Sequence, residues 1–282
     1  MTSQQPFIEQ VDSRRFPKET LPTMYDLPSE DPEEPGLPDE FHDLQPQLLS
    51  ATLRLTHHAR DQAFNGTDLN LYYDVQHPLW HKRPDWFLVL GVPRLYGGVD
   101  LRSSYVLWQE GVNPLVVVEL LSPGTEAEDL GPYAESDSAA PAPAADMPPR
   151  KWEVYERILQ VPYYIVFSRY TNQLRVFQHD GDRYIEQPVG ETNPRAWIPE
   201  LELGLGIWQG TYDGLSRNWL RWCDAAGTWI PTPAERAEQL QARTEQLENR
   251  AEQLENRAEQ LENRAERLAE RLRLLGVDPD EI

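Results

Sequence analysis

Three residues have the types and placement to do chemistry together: Asp85, Glu119 and Lys151. Glu119 stands near the end of an otherwise apolar run, Leu115 to Leu121, closed by Ser122 and Pro123, which reads as a strand buried on both faces. An ionised carboxylate there is costly unless a metal, an arginine or another cation pairs with it. Asp85 opens a second apolar run, Trp86 to Leu90. Two carboxylates on adjacent strands can hold a hard divalent cation, and Mg²⁺ favours one or two carboxylates completed by water and substrate phosphate. Lys151 falls where a helix is expected to begin, opposing the helix dipole by roughly 0.3–1 kcal/mol, so an acid or anion must compensate it. Beside the two carboxylates its ammonium would orient or polarise an attacking water and offset charge on a phosphorane-like transition state. Lys151 is therefore expected to act in catalysis more than in folding. Tyr155, four residues on, shares its helix face and is a possible neighbour of the same site. Of the 26 basic residues only Lys18, Lys82 and Lys151 are lysines, so each raises the question of what arginine could not do there.

The elements that must position these residues follow from periodicity. Apolar residues between Leu44 and Thr56 recur at helical spacing, with His57 and His58 at the negative end of the expected helix. Leu69, Leu71, Tyr73 and Val75 alternate as a half-buried strand, and Ser104–Trp108 forms another short one. A helix is expected from Pro148-Pro149 through Leu159, on the spacing of Trp152, Tyr155, Ile158 and Leu159. Strands follow at Tyr163–Phe167, Leu174–Phe177 and Tyr184–Gln187, the last two joined by an Asp180-Gly181 hairpin signal. The Trp-rich segment 197–231 should wrap the sheet. Residues 1–40 read as a flexible acidic arm, 41–231 as the folded domain, and 124–148, a low-complexity stretch of Ala, Pro, Asp and Glu, as a disordered loop within it. Residues 232–282 read as a coiled coil. Leu240, Leu247, Leu254, Leu261, Leu268 and Leu275 fall seven apart, and Asn-Arg-Ala-Glu-Gln-Leu-Glu repeats exactly at 249–255 and 256–262. The seam predicts a parallel homodimer.

Composition bounds the function classes. With 282 residues, 39% of them apolar, the chain can build a real core. Its single cysteine, Cys223, excludes an intrachain disulfide and a Cys-based zinc site and suits a reducing cytoplasm. No apolar run reaches the roughly 20 residues needed to span a bilayer, and no signal-peptide pattern opens the chain, so a cytoplasmic location without membrane contact is expected. The net charge of −21 looks hostile to nucleic acid. The arm, the loop and the repeat carry most of it, leaving 18 acids against 15 bases in the remaining core. That balance neither supports nor excludes a DNA substrate.

Pro84-Asp85 followed by Glu119-Leu120-Leu121 at a strand end resembles the PD-(D/E)XK nuclease superfamily. The longer stretches Arg83–Pro93, Val118–Thr125 and Lys151–Glu156 look like its Uma-two branch of restriction-type endonucleases, over roughly residues 40–230. The resemblance implies an α/β, restriction-endonuclease-like core with a mixed sheet, to which this chain adds a C-terminal coiled-coil helix. It also implies Mg²⁺-dependent hydrolysis of DNA phosphodiester bonds, with Asp85 and Glu119 as metal ligands and the Leu120 carbonyl as a third. One departure stands out. The lysine expected two positions after the glutamate is Leu121 here, so its role passes to Lys151. If Lys151 lies outside the site, the fold becomes an inactive scaffold that interacts through its coiled coil.

Overall fold

The computed structural model of the chain describes residues 39–134, 147–190 and 192–275. Most of the 1–40 arm and the centre of the 124–148 segment lie outside these residues.

Strands β1 (Ala63–Thr67), β4 (Trp86–Leu90), β6 (Val116–Leu120), β7 (Tyr163–Ser168), β8 (Gln173–His179) and β9 (Tyr184–Gln187) form one six-stranded sheet in the order β1-β4-β6-β7-β8-β9. Only the β6–β7 pair is parallel; the other neighbours run antiparallel, so the sheet is mixed. A small sheet sets β2 (Leu71–Tyr72) between β3 (His81–Lys82) and β5 (Tyr105–Val106). The expected strand over Leu69–Val75 thus shrinks to two residues, and Ser104–Trp108 turns after Val106 into the short helix α2 (Leu107–Glu110).

Every residue of β6 is buried, and strand alternation sorts its side chains. Val116, Val118 and Leu120 face helix α1 (Glu40–Thr52) and a three-stranded sheet of β10 (Arg195–Ile198), β11 (Leu203–Tyr212) and β12 (Leu215–Cys223). That sheet contains the Trp-rich segment, whose Trp219 and Trp222 are fully buried in this layer. Helix α1 begins earlier and ends earlier than apolar periodicity indicates. Asp39 caps it, accepting from the backbone N–H of Phe41 and His42, and the helix stops at Thr52. Gln45 within it donates to the Leu220 carbonyl at 2.9 Å and accepts the Leu220 N–H at 2.8 Å, tying α1 to β12. His57 and His58 lie beyond the helix, against Glu202 and the Glu200 carbonyl.

Val117 belongs to the opposite layer, with Trp152, Tyr155 and Tyr164. Parallel neighbours need a crossover, and here it contains α3 (Glu126–Asp129), a 3₁₀ turn (Gly131–Tyr133) and α4 (Lys151–Glu153), which continues as one π turn over Val154–Ile158. The early part of the expected disordered loop is therefore folded. Gly131 lies against Trp152 with φ +50°, where a Cβ would stand 2.4 Å from the indole. Only glycine fits both the backbone and the space.

The chain then enters α5 (Pro233–Leu274), opened by a Thr232/Glu235 capping box with proline at the first helical position. At 42 residues it is roughly 63 Å long. Leu240, Leu247, Leu254, Leu261 and Leu268 are each more than half exposed along it. Among the described residues no helix is long and apolar enough to cross a membrane.

Candidate active site

The end of β6 is where the three sequence-selected residues meet. Glu119 shares the face of Val117, so its carboxylate enters the layer beneath the crossover, where it is 1% exposed. The crossover returns α4 over this face before β7 begins. Lys151, the first residue of α4, places Nζ 2.8 Å from Glu119 Oε2, and Tyr155 donates its hydroxyl to Glu119 Oε1 at 2.8 Å. Two side chains four apart on one helical face thus hold the two oxygens of one carboxylate. Tyr155 lies inside the π turn, an irregularity found frequently at functional sites.

Asp85 immediately precedes β4. Trp86 is paired with Val118, so one step back along the antiparallel register sets Asp85 beside Glu119. Asp85 Oδ2 accepts the Leu120 backbone N–H at 2.6 Å, which locks the carboxylate to the neighbouring strand. The Leu120 carbonyl accepts from His42 Nε2 at 3.0 Å, while His42 Nδ1 faces Asp39 Oδ1 at 2.8 Å. Burial opposes charge on this imidazole, but an acceptor on each nitrogen and the nearby Asp85 raise its pKa above the ordinary histidine value.

Three participants escaped sequence reasoning. Asp129 is fully folded into the site. Its Oδ1 stands 3.5 Å from Lys151 Nζ and has no hydrogen-bond partner, although it is buried. Glu128 accepts the Lys151 backbone N–H at 2.9 Å and the Lys82 ammonium at 2.6 Å on one oxygen. That carboxylate supplies the compensation expected for a cationic first turn, and it brings two of the three lysines to one place. His42 approaches from α1, on the far side of the sheet. The acidic composition of 124–148 hid Glu128 and Asp129, and nothing in the local pattern marks His42.

The electrostatics are those of a buried cluster with surplus negative charge. Burial would strip the proton from Lys151, but Asp129, Glu119 and Asp85 outweigh it and hold the ammonium well above the usual lysine range. Burial pushes the Glu119 carboxyl well above the usual carboxylate range; Lys151 opposes this, and Asp85 and Asp129 add to it. Asp129 is raised for the same reason, again against the pull of Lys151. With all three acids ionised, Asp85, Glu119 and Asp129 against Lys151 leave two uncompensated charges, the charge of one divalent cation. Among the described residues no three His, Cys, Asp or Glu side chains gather as a metal-holding group. A cation here would rest on two carboxylates, a carbonyl and water. These are hard oxygen donors of the number that Mg²⁺ accepts, so the residues fit such an ion. The Leu120 carbonyl keeps a second lone pair beside its bond from His42.

No curated protein matches the sequence. A family profile matches residues 12–215, covering most of the chain, and its description is "Putative restriction endonuclease". Families with this restriction-endonuclease-like fold generally use divalent metal ions, and the mixed sheet with its crossover helix fits that fold. The chain belongs to the Uma2 family, within the restriction-endonuclease-like superfamily.

Proposed function

We propose that the protein is a Mg²⁺-dependent endonuclease that hydrolyses phosphodiester bonds in DNA. The observation that carries the reading is the grip of Lys151 and Tyr155 on Glu119 beside Asp85, in a buried cluster where three carboxyl groups, those of Asp85, Glu119 and Asp129, meet one ammonium. Asp85, Glu119 and the Leu120 carbonyl would hold the cation. When bound, it would lower the pKa of a coordinated water and offset charge on the phosphate. Lys151 keeps its proton and is 22% exposed at the side chain, so it can donate to the attacking water or to a phosphate oxygen from a fixed position. Tyr155 keeps Glu119 from rotating, and the Leu120 N–H does the same for Asp85. Plasmid nicking tests this directly: wild type with Mg²⁺ should open supercoiled DNA, and Asp85→Ala should not. Equal nicking by both proteins, or none by wild type, would sink the proposal.

The α5 helix supports a parallel, in-register homodimer. In the exact repeats Arg and Glu lie two or five apart, never three or four, so a single helix cannot pair them. With Ala251 at a and Leu254 at d, Arg250 is at g and Glu255 at e, the spacing that joins parallel partners. Two sites in one particle would suit cutting of both strands of a duplex. A second reading draws on the same exposed leucines and on the net charge of −21: an inactive nuclease-like scaffold that works through its coiled coil. Loss of nicking in Asp85→Ala separates the two.

A further inference from the structure

A groove of about 560 Å³ opens at the carboxyl end of β6, lined among others by Ser122, Tyr133, Tyr170, Thr171 and Arg175. Its wall begins at Leu121 and Ser122, the residues that follow the Glu119–Leu120 segment, so it adjoins the acid cluster along the chain. Ser122 Oγ also lies 3.4 Å from His42 Nε2, the group bound to the Leu120 carbonyl. Tyr170, in the turn between β7 and β8, is 52% exposed, with the Arg169 guanidinium 4.6 Å over its ring. Tyr133 is 38% exposed, with Arg175 5.3 Å from its ring centre. Arg175 is fixed in turn by Glu186 at 2.8 and 2.9 Å and by the Tyr133 carbonyl. The groove therefore offers aromatic faces carrying guanidinium groups, with hydroxyls and the Glu126 carboxylate also in its lining, next to the proposed phosphodiester site.

We propose that this groove receives one unpaired nucleobase of the strand being cut, stacked on Tyr170. The inference rests on the phosphodiesterase reading for its substrate class and adds how the nucleotide beside the scissile phosphate is held. Base stacking on an aromatic ring tolerates any sequence because every base has a π face, and guanidinium groups strengthen it. A planar base fills such a groove better than a sugar-phosphate backbone, which would leave both rings uncovered.

Binding of fluorescent single-stranded DNA to the full chain, in EDTA so that nothing is cut, tests the proposal by anisotropy. Tyr170→Ala should weaken an intact oligonucleotide by about fivefold to a hundredfold, the range expected for one lost stack. Tyr170→Phe should restore it. An oligonucleotide made wholly of abasic sugar-phosphate units should bind more weakly than the intact one and respond to neither substitution. Unchanged affinity in Tyr170→Ala, an equal loss on the abasic strand, or no binding of either strand by wild type would overturn the proposal. Because the measurement needs neither metal nor cleavage, Tyr170-dependent binding by a protein that never nicks DNA would refute the catalytic reading and leave the base groove standing.

Discussion

Replacing Lys151 with methionine keeps a chain of similar length and removes the ammonium 2.8 Å from Glu119 and 3.5 Å from Asp129. At an effective dielectric constant of about 20, these distances correspond to roughly 6 and 5 kcal/mol of attraction, most of it offset by the desolvation of the ions. What decides the outcome is the carboxylates left behind. Breaking a buried pair by removing one partner costs about 3–5 kcal/mol, and the 22% exposure of Lys151 places this site near the lower end, about 3 kcal/mol at pH 8. The loss should shrink at low pH. Glu119 already has a folded-state pKa raised by burial, and removal of Lys151 raises it further. A carboxyl raised in this way makes the folded state bind the proton more tightly, so its penalty is absent below the unfolded value near ~4.3. Wild type and variant share that penalty up to the wild-type folded value, and the extra deficit of the variant accumulates only above it. Urea unfolding followed by tryptophan fluorescence at pH 5.5 and pH 8 should therefore show a larger deficit at pH 8. Adding Glu119→Gln to Lys151→Met should recover much of it. Wild-type midpoints at both pH values, or a deficit that Glu119→Gln leaves untouched, would refute the reasoning and leave Lys151 acting in catalysis more than in folding, as expected from sequence.

Tyr155→Phe deletes one buried hydrogen bond to a carboxylate and should cost about 1.5–3 kcal/mol in the same unfolding assay. Asp39→Ala removes the α1 cap and the partner of His42, with an expected loss of about 1 kcal/mol or somewhat more. Burial pulls the other way, but the bonds from His42 and the charges of His42 and Arg169 bring the Asp39 carboxyl down to about 2. Its contribution should therefore be complete above about pH 4 and fade as pH falls toward 2, and the gap between wild type and Asp39→Ala should close over that window. Gly131→Ala should destabilise by about 1–3 kcal/mol, because the new Cβ meets the Trp152 ring. Removing residues 238–282 should convert a sedimenting dimer to a monomer without lowering the melting temperature of the rest; a monomer at tens of micromolar before truncation would contradict the proposed pairing.

The β6 run and its buried Glu119 were legible because an uninterrupted apolar segment with one acid has few other solutions. The β8–β9 hairpin was legible from Asp180-Gly181. Strand β1 was not, because Ala63-Phe64-Asn65-Gly66-Thr67 shows no alternation; its identity comes from antiparallel pairing with β4, and Gly66 is packed under the Phe87 ring. The start of α1 was hidden because its first turn holds Glu40, His42 and Asp43 next to an acidic arm, and only the Asp39 cap reveals it. At the site, spacing selected Asp85, Glu119, Lys151 and Tyr155, whose positions are set by strands and one helical face. Asp129 could not be selected. A buried acid and a solvated acid have the same letter in a low-complexity stretch, and the difference arises only when the crossover folds over β6.

Asp85 and Glu119 are expected to converge on one divalent cation beside Lys151. Titration calorimetry with Mg²⁺, repeated with Mn²⁺, tests it most directly. Wild type should bind one ion per chain at this site, and Glu119→Gln should lose that binding heat; an undiminished heat in Glu119→Gln would contradict the assignment.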